Sequence, residues 1–329
     1  MQYLKKCFNY VSNCFQGEKK LVLSRRLQKW AWIICRAVLM AGLSFVVLYP
    51  VLYMVSMAFR PAEQMADPSV VWIPKSLTLE NIKSAIEYLD YGNKASFTGM
   101  LTIVCTLLQM ATASLAGYGM SRFKFKGRGF LFGLLILSIM VPPQNIILSL
   151  FRQYQNFDFF GIGSLVGLIT GTPLTVNLIE TPWSMVLPAL FANGIRSGLI
   201  IFIFMQFFKG LPVELEDAAY VDGCGTFATY ARIIMPNAVP ALVTIFIFSI
   251  VWYWTDYYHA SMFMPNKTLT IAMSAVGSLM QAEDTVFNPW AHVAVMQAGC
   301  LLVVLPPLVV YLFMQRFFVE SVERTGITG

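Results

Sequence analysis

Six apolar segments, each long enough to cross a lipid bilayer, constrain this chain more than any other feature. A hydrocarbon core about 30 Å thick is crossed by a helix of about 20 apolar residues. Of the 329 residues, 57% are hydrophobic and only 12% are charged, whereas a soluble domain carries roughly 25% charged residues. Since backbone groups inside a bilayer must bond internally, the sequence predicts an all-α polytopic membrane protein. The six predicted transmembrane helices span about residues 30–59, 95–121, 129–151, 183–208, 236–263 and 293–318.

The positions of Lys and Arg predict which side of the membrane each loop faces. Basic side chains concentrate in residues 1–29 and in the loop between the second and third spans, which holds Arg122, Lys124, Lys126 and Arg128. Because such side chains gather on the cytoplasmic side, we expect both termini in the cytoplasm. The expected parts are a basic N-terminal tail (1–29), a membrane domain (30–318) and a cytoplasmic C-terminal tail (319–329). Orientation thus accounts for the net charge of +6 without nucleic-acid binding.

One stretch between the third and fourth spans, residues 161–181, allows two interpretations. Gly163, Gly167 and Gly171 recur at every fourth position, which is a helix-packing pattern in membranes. The Thr, Pro and Asn residues nearby make the stretch a poor span. A seventh span here would also place the next loop outside, against the charge pattern. We therefore expect an outer hairpin or a partly embedded segment.

Several functional classes lack their characteristic residues in this sequence. The six cysteines include no C-x-x-C pair and there are only two histidines, which argues against a disulfide framework, a metal site or a catalytic triad. There is no G-x-x-x-x-G-K-[ST] segment to hold nucleotide phosphates. We therefore expect no catalytic residue, metal or cofactor in this chain. Any ATP that drives its function must be hydrolysed by a partner.

A polar segment, residues 210–236, separates the fourth and fifth spans. It opens with a proline and several carboxylates, which suit the first turn of a helix. Asp222-Gly223 is a helix stop, and Thr226 is a cap for a second short helix. Two short helices outside the bilayer are therefore predicted. They fit either a docking surface, on which Ala218 and Ala219 keep one face slim, or an ordinary amphipathic connector.

Residues of this segment resemble the EAA loop of bacterial ABC importer permeases. The matching pattern is Asp217-Ala218-Ala219, three further residues, Gly223, and then Ile233 and Met235-Pro236. Weaker similarities to the maltose-permease-G-like subunits of the carbohydrate branch follow in order at 72–81, 252–257 and 316–320. The resemblance implies the type I ABC importer fold with six transmembrane helices and a cytoplasmic coupling helix. The implied coupling residues are Glu216, Asp217, Ala218, Ala219, Asp222, Gly223 and Pro236.

The resemblance also implies roles and partners. Asp217 stands where the family has glutamate, and either it or Glu216 contacts an ATPase arginine; Ala218 and Ala219 form the close-contact face. The implied partners at the bacterial cytoplasmic membrane are a second permease subunit in a heterodimer, two cytoplasmic ATPase subunits that bind ATP and Mg, and an extracytoplasmic sugar-binding protein. The C-terminal tail is either disordered or reaches between the ATPase subunits.

Polar and aromatic residues inside the predicted spans are candidates for a substrate path. A charge midway along a span, as we expect for Arg196, costs at least about 2.5–3.5 kcal/mol, so it should face the bundle interior or a wet cavity. Arg196 either contacts sugar hydroxyls or locks helices together through an ion pair or hydrogen bonds. The aromatic residues around Trp254 either stack on sugars or pack in the interfacial belt. The candidates are Arg196, Asn193, Gln144 and Asn145 (which follow a predicted helix break) and Trp254.

These features predict the permease subunit of an ABC importer that moves an oligosaccharide or related carbohydrate. The alternatives are a permease for a non-sugar solute, an ion-coupled carrier and a membrane-embedded enzyme. A carrier needs a coupling-ion site at mid-membrane, and an enzyme needs a cluster of Asp, Glu, His or Cys. Neither is apparent in the sequence. The sequence names neither the sugar nor the subunit that holds the main substrate site.

Overall fold

A computed structural model describes residues 2–65, 67, 69–70, 72–159, 161–283 and 288–326, with side chains from residue 28 to 282 and from 288 to 317 within that part. Helices dominate the described residues, and their β pairing is one antiparallel bridge between Phe157 and Val176. The α-helices are α1 (Gln2–Ala58), α2 (Glu80–Leu89), α3 (Tyr91–Arg122), α4 (Arg128–Met140), α5 (Ile147–Gln155), α6 (Ile162–Thr170), α7 (Trp183–Leu190), α8 (Ser197–Gly210), α9 (Glu214–Val221), α10 (Thr226–Thr229), α11 (Met235–Asn237), α12 (Val239–Trp254), α13 (Tyr258–Phe263), α14 (Leu269–Glu283) and α15 (Pro289–Gly326).

Three described helices are long and apolar enough to cross a membrane without interruption. They are the 28–58 part of α1, α3, and the 289–317 part of α15. Two bent pairs, α8 with α9 at 75° and the 226–237 helical segment with α12 at 78°, raise the number to five if each pair is one span. The continuous first, second and sixth apolar segments thus appear as long helices. The third, fourth and fifth are divided. The break in the third was predicted, whereas our expectation of unbroken helices in the fourth and fifth is wrong.

The third apolar segment breaks at Pro142-Pro143. The α4 helix ends at Met140, a 3-10 turn covers Pro143–Asn145, and α5 begins at Ile147. Proline has no N–H and its ring clashes with the preceding turn. The residue before a proline is also pushed out of the helical region. This break was predicted from the sequence.

The fourth segment opens between α7 and α8. The intervening backbone includes Ala192 and Arg196, both at a φ of 54°. Two such left-handed residues interrupt a right-handed helix, and the Asn193 N–H bonds to Pro188 O at 2.7 Å instead. Residues 191–196 therefore form an unwound gap inside a segment that the sequence predicts as one helix.

The fifth segment is also divided. It begins with α11 rather than a straight span, and α12 ends at Trp254. Asp256 lies two residues before α13, and its Oδ2 accepts the Ala260 N–H at 3.0 Å. A side-chain acceptor at a helix start satisfies a donor that has no partner within the helix.

Two stretches lie outside the six predicted spans, and they compare differently with the predictions from sequence. The α14 helix was not predicted, since its mixed Thr, Ser, Met and Gln content hides its apolar face. Residues 161–181 form α6 and a return loop, and α6 alone is only about 14 Å long. A Cβ on Gly163 would lie 2.0 Å from Leu174 O, and one on Gly167 would lie 2.8 Å from Pro173 Cα. These glycines thus pack against their own return loop.

Two prolines inside α15 create anchor points for other helices. Pro306 and Pro307 lack the N–H groups that would bond to the carbonyls of Leu302 and Val303. Tyr91 Oη of α3 donates to Leu302 O at 3.1 Å. Trp254 Nε1 of α12 donates to Val303 O at 2.9 Å. Both freed carbonyls are therefore satisfied by side chains of neighbouring helices.

The α3 helix lies at the centre of the bundle, while α1 lies at its edge. In an apolar stretch of 18 residues within each candidate span, 39% of the residues of α3 but only 6% of those of α1 are buried. There is no room for a side chain at Gly117 on α3, because a Cβ there would lie 2.7 Å from Phe204 Cβ on α8. Close packing of α3 on α8 thus depends on this glycine. The exposed apolar surface of α1 is suited to lipid.

Candidate functional site

The polar segment folds into a short helix that is turned away from its span. The α9 helix is bent by 75° from α8 and carries three carboxylates in its first turn. The helix ends at Val221, and Gly223, two residues later, has a φ of 82°. The Gly223 N–H bonds to Tyr220 O at 3.1 Å and the Cys224 N–H bonds to Ala219 O at 2.9 Å. This hydrogen-bonded reversal is a helix stop of the kind that favours glycine.

A buried ion pair ties α9 to the end of α3. Arg122 Nε lies 2.9 Å from Glu216 Oε1, and their side chains are 9% and 8% exposed. The N–H of this nitrogen is not aimed at the carboxylate, so the contact is a charge pair without an aligned hydrogen bond. Arg122 also donates through Nη2 to Leu211 O at 2.7 Å. Burial raises the pKa of Glu216, and the Arg122 charge opposes that shift.

A second attachment joins the following turns to α3. Tyr230 Oη and Ser114 Oγ are 2.7 Å apart and buried. The rings of Tyr230 and Tyr118 have centroids 5.1 Å apart. A five-residue π-helix, Tyr230–Ile234, carries Tyr230 into this position. The polar segment therefore rests on α3 at two points on either side of Gly223.

The outer surface of this segment is unusually apolar for a turn between helices. Val221 is 87% exposed and Phe227 is 72% exposed. Asp217 and Ala218, which precede both residues in the chain, are also exposed. Exposed apolar groups rimmed by charge mark interaction sites more often than inert surface. This surface, which comprises Asp217, Ala218, Val221 and Phe227, is called the loop face below.

A buried polar cluster holds the unwound gap 191–196. Gln109 of α3 is fully buried, and its Nε2 donates to Ile195 O at 2.8 Å and to Ser197 Oγ at 2.9 Å. Tyr253 Oη of α12 donates to Gln109 Oε1 and accepts the Ile195 N–H at 3.2 Å. A non-helical stretch inside a membrane must have its polar groups satisfied in this way. Gln109 and Tyr253 thus stabilise the break.

The gap also presents a cation. Arg196 precedes the first residue of α8 and is exposed, with its Cζ 4.8 Å from the centroid of the Trp252 ring. Phe248 stacks on the same indole, with centroids 5.5 Å apart. The internal ion-pair lock that the sequence allowed for Arg196 is absent among the described residues. Its stabilising partner is an aromatic ring.

This chain is similar in sequence to a known family of membrane transport proteins. Residues 109–324 match the family model for the binding-protein-dependent transport system inner membrane component. The chain belongs to this family. A Bacillus subtilis relative, the probable ABC transporter permease protein YurM, is 28% identical over 284 residues, covering 85% of this chain and 84% of that protein. The Halalkalibacterium halodurans arabinooligosaccharides transport system permease protein AraQ is 24% identical over 296 residues, covering 88% and 94%.

A solved structure supports the same fold for this permease. It is the crystal structure of a bacterial ABC transporter involved in the import of the acidic polysaccharide alginate. The TM-score is 0.65 at 18% sequence identity, over 87% of this chain and 95% of that chain. The helical bundle described above is therefore a known ABC importer permease fold. The predicted family and fold type are confirmed at this level.

The predicted coupling residues of the permease differ in accessibility. Asp217, Ala218, Asp222, Gly223 and Pro236 are exposed. Glu216 is buried against Arg122, and Ala219 is only 1% exposed. The expectation that both alanines face outward is therefore wrong, because Ala219 packs inside its own chain. Of the two candidate carboxylates, Asp217 is the one accessible to another molecule. The coupling role itself remains a prediction.

The predicted path residues fall into two groups. Asn193 and Arg196 are exposed in the gap between α7 and α8, and Gln144 and Asn145 are exposed in the break of the third segment. Trp254 is only 7% exposed and bonds to α15. Trp254 therefore packs between helices, which was the alternative considered for this aromatic group.

Sequence analysis missed the side chains that hold these features together in the permease. Gln109 was not singled out, although a buried amide inside an apolar helix is itself unusual. Arg122 was used only to orient its loop, and Tyr253 was considered only among the aromatic residues around Trp254. Gln109 was the most detectable of the three, since it lies in the middle of α3. The partners of Tyr253 and Arg122 are on other helices and leave no local pattern.

Proposed function

We propose that this chain is the transmembrane permease subunit of an ABC importer for an oligosaccharide or related carbohydrate, in which α9 is the cytoplasmic coupling helix. A separate ATPase subunit hydrolyses ATP with bound Mg. The loop face is the observation that carries this proposal, because it offers Asp217 and exposed apolar side chains on a helix turned out of its span. Family membership supports a partner of this kind.

Six spans remain the proposed topology. The broken third, fourth and fifth segments each count as one span, with cytoplasmic termini and with α9 also in the cytoplasm. The basic loop 122–128 supports this orientation. A second permease subunit and an extracytoplasmic binding protein complete the proposed assembly.

The three breaks support a substrate path at a common depth. The α4, α8 and α12 helices contain 13, 14 and 16 residues. At about 1.5 Å per residue each reaches about 20–24 Å from its inner end. Irregular backbone at membrane depth is tolerated where it is buried in protein or lines a wet cavity. We place the path beside the exposed polar residues of the first two breaks, Gln144, Asn145, Asn193 and Arg196.

The carbohydrate class is supported by the relatives. AraQ is described as a permease for arabinooligosaccharides. The AmyC protein of Thermoanaerobacterium thermosulfurigenes, 25% identical over 250 residues, is described as a probable permease for starch degradation products. The arabinooligosaccharides named for AraQ favour an oligosaccharide over a single sugar.

Uptake by the complete importer in proteoliposomes tests the coupling proposal. No atom lies within 4 Å of a Cβ built on Gly223, so a side chain there would project from the turn without a clash inside the chain. We expect Gly223→Asp to abolish ATP-driven uptake while the protein still inserts, because the carboxylate projects towards the docked ATPase.

Gly223→Ala is the matched control, since it adds the same backbone strain of roughly 1–2 kcal/mol without a projecting charge. It should keep most of the uptake. Undiminished ATP-driven uptake by Gly223→Asp would count against α9 as the coupling helix.

A further inference from the structure

Arg196 lies in the gap between α7 and α8 without a counter-charge. It is exposed, and none of the ion pairs among the described residues includes it. Its guanidinium is held 4.8 Å above the Trp252 ring. Phe248 stacks on the same indole. The guanidinium therefore rests on an aromatic ring, and it has no carboxylate partner among the described residues.

The backbone at this point adds to the positive potential. Arg196 has a φ of 54° and directly precedes Ser197, the first residue of the 14-residue helix α8. The amino end of a helix carries about half a positive charge. A left-handed non-glycine residue costs roughly 1–2 kcal/mol. A strained arginine at a positive helix end is therefore maintained by the cluster around Gln109 and by Trp252.

The depth of Arg196 in the membrane restricts the surroundings that its charge can have. With the inner end of α8 at the cytoplasmic boundary, Arg196 lies about 21 Å into a hydrocarbon core about 30 Å thick. Charged residues at such depth face a bundle interior or a water-filled cavity and pair with other groups. The exposed side of Arg196 therefore faces the substrate path, not lipid.

We propose that Arg196 binds the carboxylate of an acidic oligosaccharide, with Trp252 as the residue that positions the guanidinium. This inference rests on the proposed function and names its substrate class. A guanidinium presents paired N–H donors that match the two oxygens of a carboxylate. Neutral hydroxyls can accept hydrogen bonds from the same N–H groups, but they cannot neutralise the charge. The amides of Asn193, Gln144 and Asn145 supply hydroxyl partners for the remaining sugar units.

Binding to the complete importer in detergent tests this assignment. The probes are trisaccharides of galacturonate, glucuronate and mannuronate, each paired with its neutral trisaccharide of galactose, glucose or mannose in the same linkage. We expect at least one uronate to bind wild type tenfold or more tightly than its neutral counterpart, the ratio typical of one hydrogen-bonded charge pair. Arg196→Gln should remove most of that preference, because it lowers affinity for the uronate much more than affinity for the neutral sugar.

Three further variants distinguish lost positioning of the guanidinium from general damage to the protein. Trp252→Leu should lower uronate affinity and leave neutral affinity unchanged, and Trp252→Phe should restore part of the loss. Arg316→Gln is the matched control, because Arg316 also stacks on a ring, with its Cζ 4.6 Å from the Phe317 centroid, at the far end of α15. It should not change the ratio of uronate to neutral affinity.

An unchanged uronate preference in Arg196→Gln overturns this inference, as does tighter binding of every neutral trisaccharide by wild type. In either case, ATP-driven uptake of a neutral oligosaccharide by wild type would leave the proposed function standing, and only the acidic substrate class would fail. If wild type binds none of the six probes, the acidic assignment fails. The proposed function fails with it only if wild type also shows no ATP-driven carbohydrate uptake.

Discussion

The space around Gly194 is filled by the side chains that hold the unwound gap. A Cβ there would lie 2.2 Å from Tyr253 Oη and 2.8 Å from Gln109 Oε1. Both atoms are buried and hydrogen-bonded, so neither can move without losing a partner. Overpacking of this kind costs about 1–3 kcal/mol, and each buried polar group left unpaired costs about 1–3 kcal/mol more.

We therefore expect Gly194→Ala to lower the thermal midpoint of the purified protein in detergent by several degrees and to reduce uptake. Gly99→Ala is the matched control, since its Cβ would meet its nearest neighbour, Trp254 Cζ3, at an ordinary 3.6 Å. In a helix that change should be neutral or stabilising by up to about 1 kcal/mol. Equal midpoints for the two variants would contradict the role assigned to the cluster.

At the scale of elements, the attachment of α9 to α3 through Arg122 and Glu216 has a measurable energy. Removing one partner of a buried pair leaves an uncompensated charge, which costs about 3–5 kcal/mol. We expect Arg122→Ala to destabilise the protein by about that amount and to separate ATP hydrolysis from uptake, because α9 loses its fixed position. Arg122→Leu with Glu216→Leu should recover much of the stability.

The exposed pair of Lys75 and Asp67 is the internal control for this experiment. Their side chains are 61% and 36% exposed, with the charged atoms 2.6 Å apart. Pairs in solvent contribute about 0–1 kcal/mol. Lys75→Ala should therefore change neither stability nor coupling appreciably. If Arg122→Ala were as mild as Lys75→Ala, α9 would be held by the contacts of Tyr230 alone.

The helical elements show what the sequence can and cannot predict. Long apolar runs gave the membrane class and the positions of α1, α3 and α15, because a bilayer allows few alternatives. The break at Pro142-Pro143 was also predictable, because proline acts locally. The gap 191–196 was not, since it depends on Gln109 and Tyr253, which are distant in sequence. The same limit applies to Glu216, whose burial requires the end of α3.

At the scale of the whole molecule, orientation in the membrane is a testable property. Cys224 lies one residue beyond Gly223 and is partly exposed, so the proposed topology places it in the cytoplasm. In a chain with its other cysteines replaced, we expect an impermeant maleimide to label Cys224 only after cells are permeabilised. Glu63→Cys in the cysteine-free chain should react in intact cells, because the proposed topology places this residue outside the membrane. Labelling of Cys224 in intact cells would reverse the assigned orientation.

The prolines of α15 have a consequence for how the permease is made. The carbonyls of Leu302 and Val303 find their donors in Tyr91 and Trp254. Both donors leave the ribosome before the carbonyls do, because they precede them in the chain. A sliding or rotated α15 would place two bare carbonyls in lipid, at several kcal/mol each. The last helix can therefore settle only in one register, against a bundle that is already assembled.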